Sequence, residues 1–257
     1  MVAERLRLEN AVRAKGDLKL VPYLMAGFPN KKRSIDVGKR LAGSGVAALE
    51  IGIPHSDPLA DGPMIQRAGQ VALEHGMTVA GALEVCDAVA KEGAPVVLMT
   101  YINPVLAYDP RKFAAEAAQA GAAGVIVPDL PIEEAEPVAS WLRSASLDTV
   151  FMVAPTTPPD RIAAIASHAS GFIYCVTVTG ITGARRELPA GLPELLASVK
   201  KRTTLPVAAG FGISRQEHMR ALRGHADAAV VGSAIVDEIE RGGDGIALVR
   251  ELLKACQ

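Results

Sequence analysis

Residues 46–66 read VAALEIGIPHSDPLADGPMIQ, and their reading decides the fold. An apolar run, Val46-Ala47-Ala48-Leu49, ends in Glu50 and leaves through Ile51-Gly52-Ile53-Pro54 into a loop carrying Asp57 and Asp61. A nearly continuous apolar run of this kind fits a parallel strand covered on both faces. Asp61-Gly62-Pro63 then opens a helix with proline in its first turn. The stretch is therefore one strand–loop–helix unit with a carboxylate inside its strand. Burying that charge costs several kcal/mol unless it is paired or neutralised, and such groups cluster where a perturbed pKa serves chemistry. The plain alternative has Glu50 capping a strand end and pairing with a lysine. The functional reading is preferred, because an acid in a pocket can reach a working pKa near neutrality.

The same unit recurs outward in both directions. Further apolar strands are expected at Leu18–Ala26, Pro95–Tyr101, Ala123–Pro128 and Asp148–Val153. Gly171–Thr177, Leu205–Ala209 and Ala226–Val231 complete the set, and helical stretches follow each strand. Among those helices, one starts at the charge cluster Lys31-Lys32-Arg33 and continues over Ser34 to Ala42, whereas Ile102-Asn103-Pro104 reads as loop. Eight units in 257 residues predict an α/β fold, a single (β/α)8 TIM barrel over residues 1–257, a fold whose usual length is ~250 residues. An extra N-terminal helix is expected over residues 3–15, closed by Gly16. The alternative, an open doubly wound sheet, wants a G-x-G-x-x-G turn after the first strand, and none is present.

Composition narrows the function. With 49% hydrophobic and 21% charged residues the chain is globular, and a net charge of -1 argues against a nucleic-acid surface. No apolar run approaches the ~18 residues of a membrane span, and the charged N-terminus lacks the apolar centre of a signal peptide. Three cysteines, Cys86, Cys175 and Cys256, are odd in number and without metal spacing, which fits a reducing cytoplasm. The five histidines are dispersed, so no metal site is expected.

In a barrel the working residues sit at the C-terminal ends of strands and on the loops beyond. Strand alternation puts Ala48, Glu50 and Gly52 on one face; if that face looks to the barrel axis, Glu50 points into the pocket. Asp57 reads equally as a turn residue, and Asp61 could simply cap the helix that follows. Late glycine-bearing loops, at Gly180–Gly183, Gly210–Ser214 and Gly232-Ser233, follow strands six, seven and eight. There, barrels often hold a phosphate on backbone N–H groups and a helix N-terminus. Tyr23, Met99, Tyr101, Tyr174 and Phe211 offer an apolar wall for a flat substrate. Lys19 is the one lysine of the strand interiors and stands at the wrong end, which disfavours a Schiff-base mechanism.

Taken with PYLMAGFP, MTYINP, VIVPDLP, YCVTVTGITGAR, AAGFGIS and VVGSAIV, the motif LEIGIPHSDPLADGPMIQ closely resembles the tryptophan synthase alpha subunit family. The resemblance implies a lyase of tryptophan biosynthesis that cleaves indole-3-glycerol phosphate to indole and glyceraldehyde 3-phosphate. It makes Glu50 and Asp61 the catalytic pair. Tyr174 would stand beside the glycerol chain, and Tyr23, Met99 and Phe211 would line the indole pocket. Gly183, Gly212, Gly232 and Ser233 would hold the phosphate, and Thr182 would lie in a loop that closes on substrate. Asp57 and the loop after Tyr101, with Asn103, would meet a beta subunit in an alpha2beta2 heterotetramer. No cofactor is implied in this subunit; pyridoxal phosphate belongs to the beta partner. One departure is His55, where an aromatic such as Phe or Tyr is expected, and it reads as a surface histidine. The remaining alternatives are a stand-alone lyase releasing free indole and a non-catalytic barrel that binds a phosphate ligand.

Overall fold

The structure, a computed structural model, describes residues 8–176, 189, 191–210 and 212–257. Its strands are β1 (Lys19–Met25), β2 (Leu49–Gly52), β3 (Val96–Met99) and β4 (Ala122–Ile126). They continue as β5 (Asp148–Val153), β6 (Ile173–Val176), β7 (Val207–Gly210) and β8 (Ala228–Val231). All pairings are parallel, and β8 returns to β1 to close the barrel in chain order. This is the (β/α)8 barrel that the alternating apolar runs imply. The strands are apolar on both faces because each packs inward on the barrel interior and outward on helices. β2, β3, β7 and β8 are buried along their whole length.

The helices between strands bury one stripe each. Lys31–Ala42 buries Ser34, Val37, Gly38, Leu41 and Ala42, spaced three to four apart on one face. That helix begins at Lys31, at the expected basic cluster, because the Asn30 side chain accepts the Arg33 N–H at 2.9 Å and caps it. Ahead of β1 a helix covers Leu8–Val12.

The segment after β3 departs from expectation. Ile102–Tyr108 is a helix and not a loop. Asn103-Pro104 mimics a turn signal, but Pro104 occupies the first helical turn, where a missing N–H costs nothing. The helix start is held from outside: the Ile102 N–H donates to Asp129 Oδ1, beyond the end of β4, at 2.9 Å.

Candidate active site

Glu50 lies one residue before the last two of β2, opposite Tyr23 in the β1 register, so both side chains leave on the same face. That face is the interior. A Cβ on Gly52, two residues on, would fall 2.7 Å from Tyr23 Cζ. The same device recurs across the barrel, where a Cβ on Gly210 of β7 would fall 2.6 Å from Tyr174 Cζ. Each inward tyrosine thus lies over a strand-end glycine of the neighbouring strand, which leaves no room for any larger residue. Between them Glu50 is 1% exposed, and its Oε2 finds no hydrogen-bond partner among the described residues. Burial, reinforced by the charge of Asp61, pushes its carboxyl up to about 8. At neutral pH Glu50 therefore keeps its proton.

Asp61 reaches the same pocket from the loop after β2. Its N–H donates to the Pro58 carbonyl at 3.1 Å, and its carbonyl accepts Gln66 Nε2 at 2.9 Å. The capping alternative does not hold: Gly62 is the N-cap of helix Pro63–Glu74, with no side-chain cap bond. The Asp61 carboxylate instead accepts from the Tyr101 hydroxyl, which in turn accepts the Ala60 N–H at 3.0 Å. Burial lifts the Asp61 carboxyl to about 6, and the Tyr101 bond restrains the rise. Asp61 ionises first, and its charge then helps Glu50 to hold its proton. Between about 6 and about 8 the pocket contains one ionised and one protonated acid, a division of labour suited to acid–base chemistry.

In the sequence Tyr101 stands only among the aromatics of the apolar wall. It is buried at 3% exposure, and its ring packs at 5.2 Å on His55, which is half-buried at the surface. The one available signal was Tyr in place of Phe, since a buried phenol needs a polar partner. Tyr101→Phe removes the bond that restrains Asp61, so the Asp61 carboxyl is expected to titrate higher than about 6. Carbon-13 NMR of the labelled aspartates measures this directly; an unshifted Asp61 would show that the hydroxyl does not hold it.

The far end of the pocket is built from backbone. Gly212, Ile213, Ser214, Gly232, Ser233 and Ala234 line it together with Tyr23, Glu50, Asp61, Met99 and Tyr174. Ser233 and Ala234 open helix Ser233–Glu240, so their N–H groups have no intrahelical acceptor. The Gly232 carbonyl accepts the Ile235 and Val236 N–H groups at 2.8 and 3.1 Å, the first bonds of that helix. Gly212 has a φ of 82°, a conformation that favours glycine. Uncapped amides at a helix start suit an anion.

One pocket thus gathers eight of the residues singled out from sequence: Tyr23, Glu50, Asp61, Met99, Tyr174, Gly212, Gly232 and Ser233. Ile65, Ile213 and Val230, read only as core or loop, complete its apolar wall. Thr182, Gly183 and Phe211 lie outside the described residues. Asp57 and Asn103 are not in the pocket but exposed on the rim above it, where Ser56 Oγ donates to Asp57 at 2.8 Å. Two large apolar side chains stand exposed on that rim, Leu59 at 85% and Leu106 at 52%. Among the described residues no group of three or more His, Cys, Asp or Glu is placed to hold a metal ion.

A closed barrel with two buried acids at its C-terminal face and backbone amides lining the same pocket defines a (β/α)8 acid–base enzyme suited to an anionic substrate. The family model described as tryptophan synthase alpha chain matches residues 10–257, and the chain belongs to that family, whose reaction is the cleavage of indole-3-glycerol phosphate. The tryptophan synthase alpha chain of Roseiflexus castenholzii is 46% identical over 241 residues, covering 93% of this chain and 92% of its own. A solved tryptophan synthase of Mycobacterium tuberculosis superposes with a TM-score of 0.88 at 36% identity, covering 96% of this chain and 93% of the other. A mutant alpha-subunit from Pyrococcus furiosus gives 0.86 at 36% identity, with 93% and 99% covered.

Proposed function

We propose that this pocket carries the alpha reaction with Glu50 as the proton shuttle and Asp61 as the electrostatic partner of the indole nitrogen. The observation that carries the assignment is the pair itself: two buried carboxyls lining one pocket, where burial raises both, Glu50 further than Asp61. Cleavage of the bond between the indole ring and the glycerol chain must leave its electron pair on ring carbon C3. Glu50 first gives its proton to C3, and the positive charge this creates spreads to the ring nitrogen. Ionised Asp61 accepts the ring N–H and stabilises that charge. The Glu50 carboxylate then removes the proton from the hydroxyl on the carbon bonded to C3. The O–H electrons form the aldehyde, the C–C bond breaks, and its electron pair neutralises the ring. Indole and glyceraldehyde 3-phosphate leave, and Glu50 is protonated again.

In this reading Tyr23 and Met99 pack on the indole, and Tyr174 stands by the glycerol chain. Phe211 and Thr182 complete these contacts. Gly212, Gly232 and Ser233, with Gly183, hold the phosphate. The chain acts as one domain over residues 1–257 without a cofactor of its own. Its partner is a pyridoxal-phosphate beta subunit in an alpha2beta2 assembly, docked over Asp57 and Asn103. The exposed Leu59 and Leu106 on that rim favour this over a stand-alone lyase. Three free cysteines, all buried, suit the cytoplasm. Indole release by the purified chain, with and without a beta subunit, tests the whole. No release in either case would overturn it, and equal release in both would favour the stand-alone enzyme.

Gly232→Asp tests the phosphate end. A Cβ at Gly232 meets Tyr23 Cβ at 3.5 Å, ordinary contact, so the backbone tolerates a side chain. The added carboxylate then faces the anion, and like charges brought together cost several kcal/mol. KM for the phosphate substrate is expected to rise by about tenfold or more, with Gly232→Ala nearly unchanged. A normal KM in the aspartate variant would move the phosphate elsewhere.

A further inference from the structure

Behind the amide cradle a buried histidine has no part in the chemistry above. His218 lies in helix Gln216–Leu222 after β7 and is 3% exposed. The Ser214 N–H donates to its Nδ1 at 3.2 Å. An amide can only donate, so Nδ1 presents its lone pair and the neutral ring carries its proton on Nε2. The bond ties the turn that follows β7 to the helix behind it.

The arrangement divides the amides of that turn. The Ser214 N–H is committed to His218 and is not available to a ligand. Those of Gly212 and Ile213, immediately before it, have no acceptor among the described residues, and both residues line the pocket. Ile213 is itself 3% exposed, so the turn is pinned by its side chain on one side and by His218 on the other. A turn of free amides with neither anchor would pay conformational entropy each time an anion ordered it.

We propose that His218 is a positioning residue for phosphate recognition: by accepting the Ser214 N–H it fixes the Gly212–Ser214 turn with the Gly212 and Ile213 amides at the anion. This rests on reading that end of the pocket as the phosphate site. His218 touches no reacting atom, so its effect falls on binding and not on the proton transfers. A histidine serving only to fill the core would instead affect stability, with no preference between the two.

Two variants of the full chain separate these roles. Asn at 218 carries an acceptor where Nδ1 stood, whereas Leu keeps bulk and removes the acceptor. His218→Leu is expected to weaken inorganic phosphate binding and raise substrate KM by about five- to tenfold, the worth of one hydrogen bond. Its kcat is expected to change by less than about twofold, since uniform binding is what is lost. His218→Asn is expected to restore phosphate affinity. Unchanged phosphate affinity in the leucine variant, or an asparagine variant no better than leucine, overturns the proposal. Should the leucine variant not fold, nitrogen-15 NMR of the unmutated chain decides: a coupling across the Ser214 N–H to His218 Nδ1 is expected, and its absence overturns the proposal. Gly232→Asp in the same phosphate titration keeps the two readings apart. Weak binding there with normal binding in His218→Leu rejects only the role of His218. Normal binding in Gly232→Asp rejects the phosphate site itself.

Discussion

Glu50→Gln is expected to lower turnover by about 10²–10⁴-fold, the share that general acid–base catalysis supplies, while phosphate binding stays intact. The amide copies the shape of the protonated acid but has no proton to give to C3 and no carboxylate to take one back. Since Glu50 keeps its proton at neutral pH, the substitution removes no native charge. A loss smaller than tenfold would sink the assignment. Stability supplies an independent check with a definite sign. The folded-state carboxyl is raised from 4.5 to about 8, so across that window the folded chain holds a proton that the unfolded chain has released. Stability therefore falls as pH rises from 4.5 to about 8 and levels off above it. Without that titrating group, the variant is expected to gain in Tm over the parent steadily between those limits. A constant Tm difference from pH 5 to 8 would mean that Glu50 is not held protonated.

The sequence makes Glu50 legible for the same reason that makes it costly. A charge in an apolar strand has no ordinary use, and the alternation of the strand fixes the face on which it lies. The barrel is legible because eight apolar runs, each followed by a helix, admit few other closed arrangements. Asp61 is harder, since aspartate before Gly62-Pro63 fits a helix cap equally well. Only in the folded chain does the cap pass to Gly62 and the carboxylate turn to Tyr101. Tyr101 and His218 are illegible as working parts, because each acts through a partner distant in sequence or four residues back along the chain. Periodicity reports which side of an element is buried; it does not report what a buried polar atom touches. The helix Ile102–Tyr108 was hidden for a local reason, since Pro104 in its first turn carries the same signature as a proline in a loop.

Asp61→Asn is expected to cost about 10²–10³-fold in turnover, the range seen when one electrostatic stabiliser of a transition state is lost, with little change in KM. Asparagine retains an oxygen that can accept from Tyr101 and from the indole N–H, so ground-state contacts survive. What disappears is the negative charge facing the protonated ring, which matters only after C3 has taken its proton. The pH profile of kcat/KM distinguishes this role from a structural one. In the parent chain activity requires Asp61 ionised and Glu50 protonated, so the profile is expected to rise near 6 and fall near 8. Removing Asp61 abolishes the rising limb outright. It also removes a charge that raises Glu50, so the falling limb is expected to move to lower pH. Burial, the larger cause, keeps that limb above the ordinary carboxylate range. A variant that merely unfolds would show the parent profile scaled down by its native fraction, with both limbs in place. Retention of the rising limb in a folded variant would assign it to another group and remove Asp61 from the chemistry.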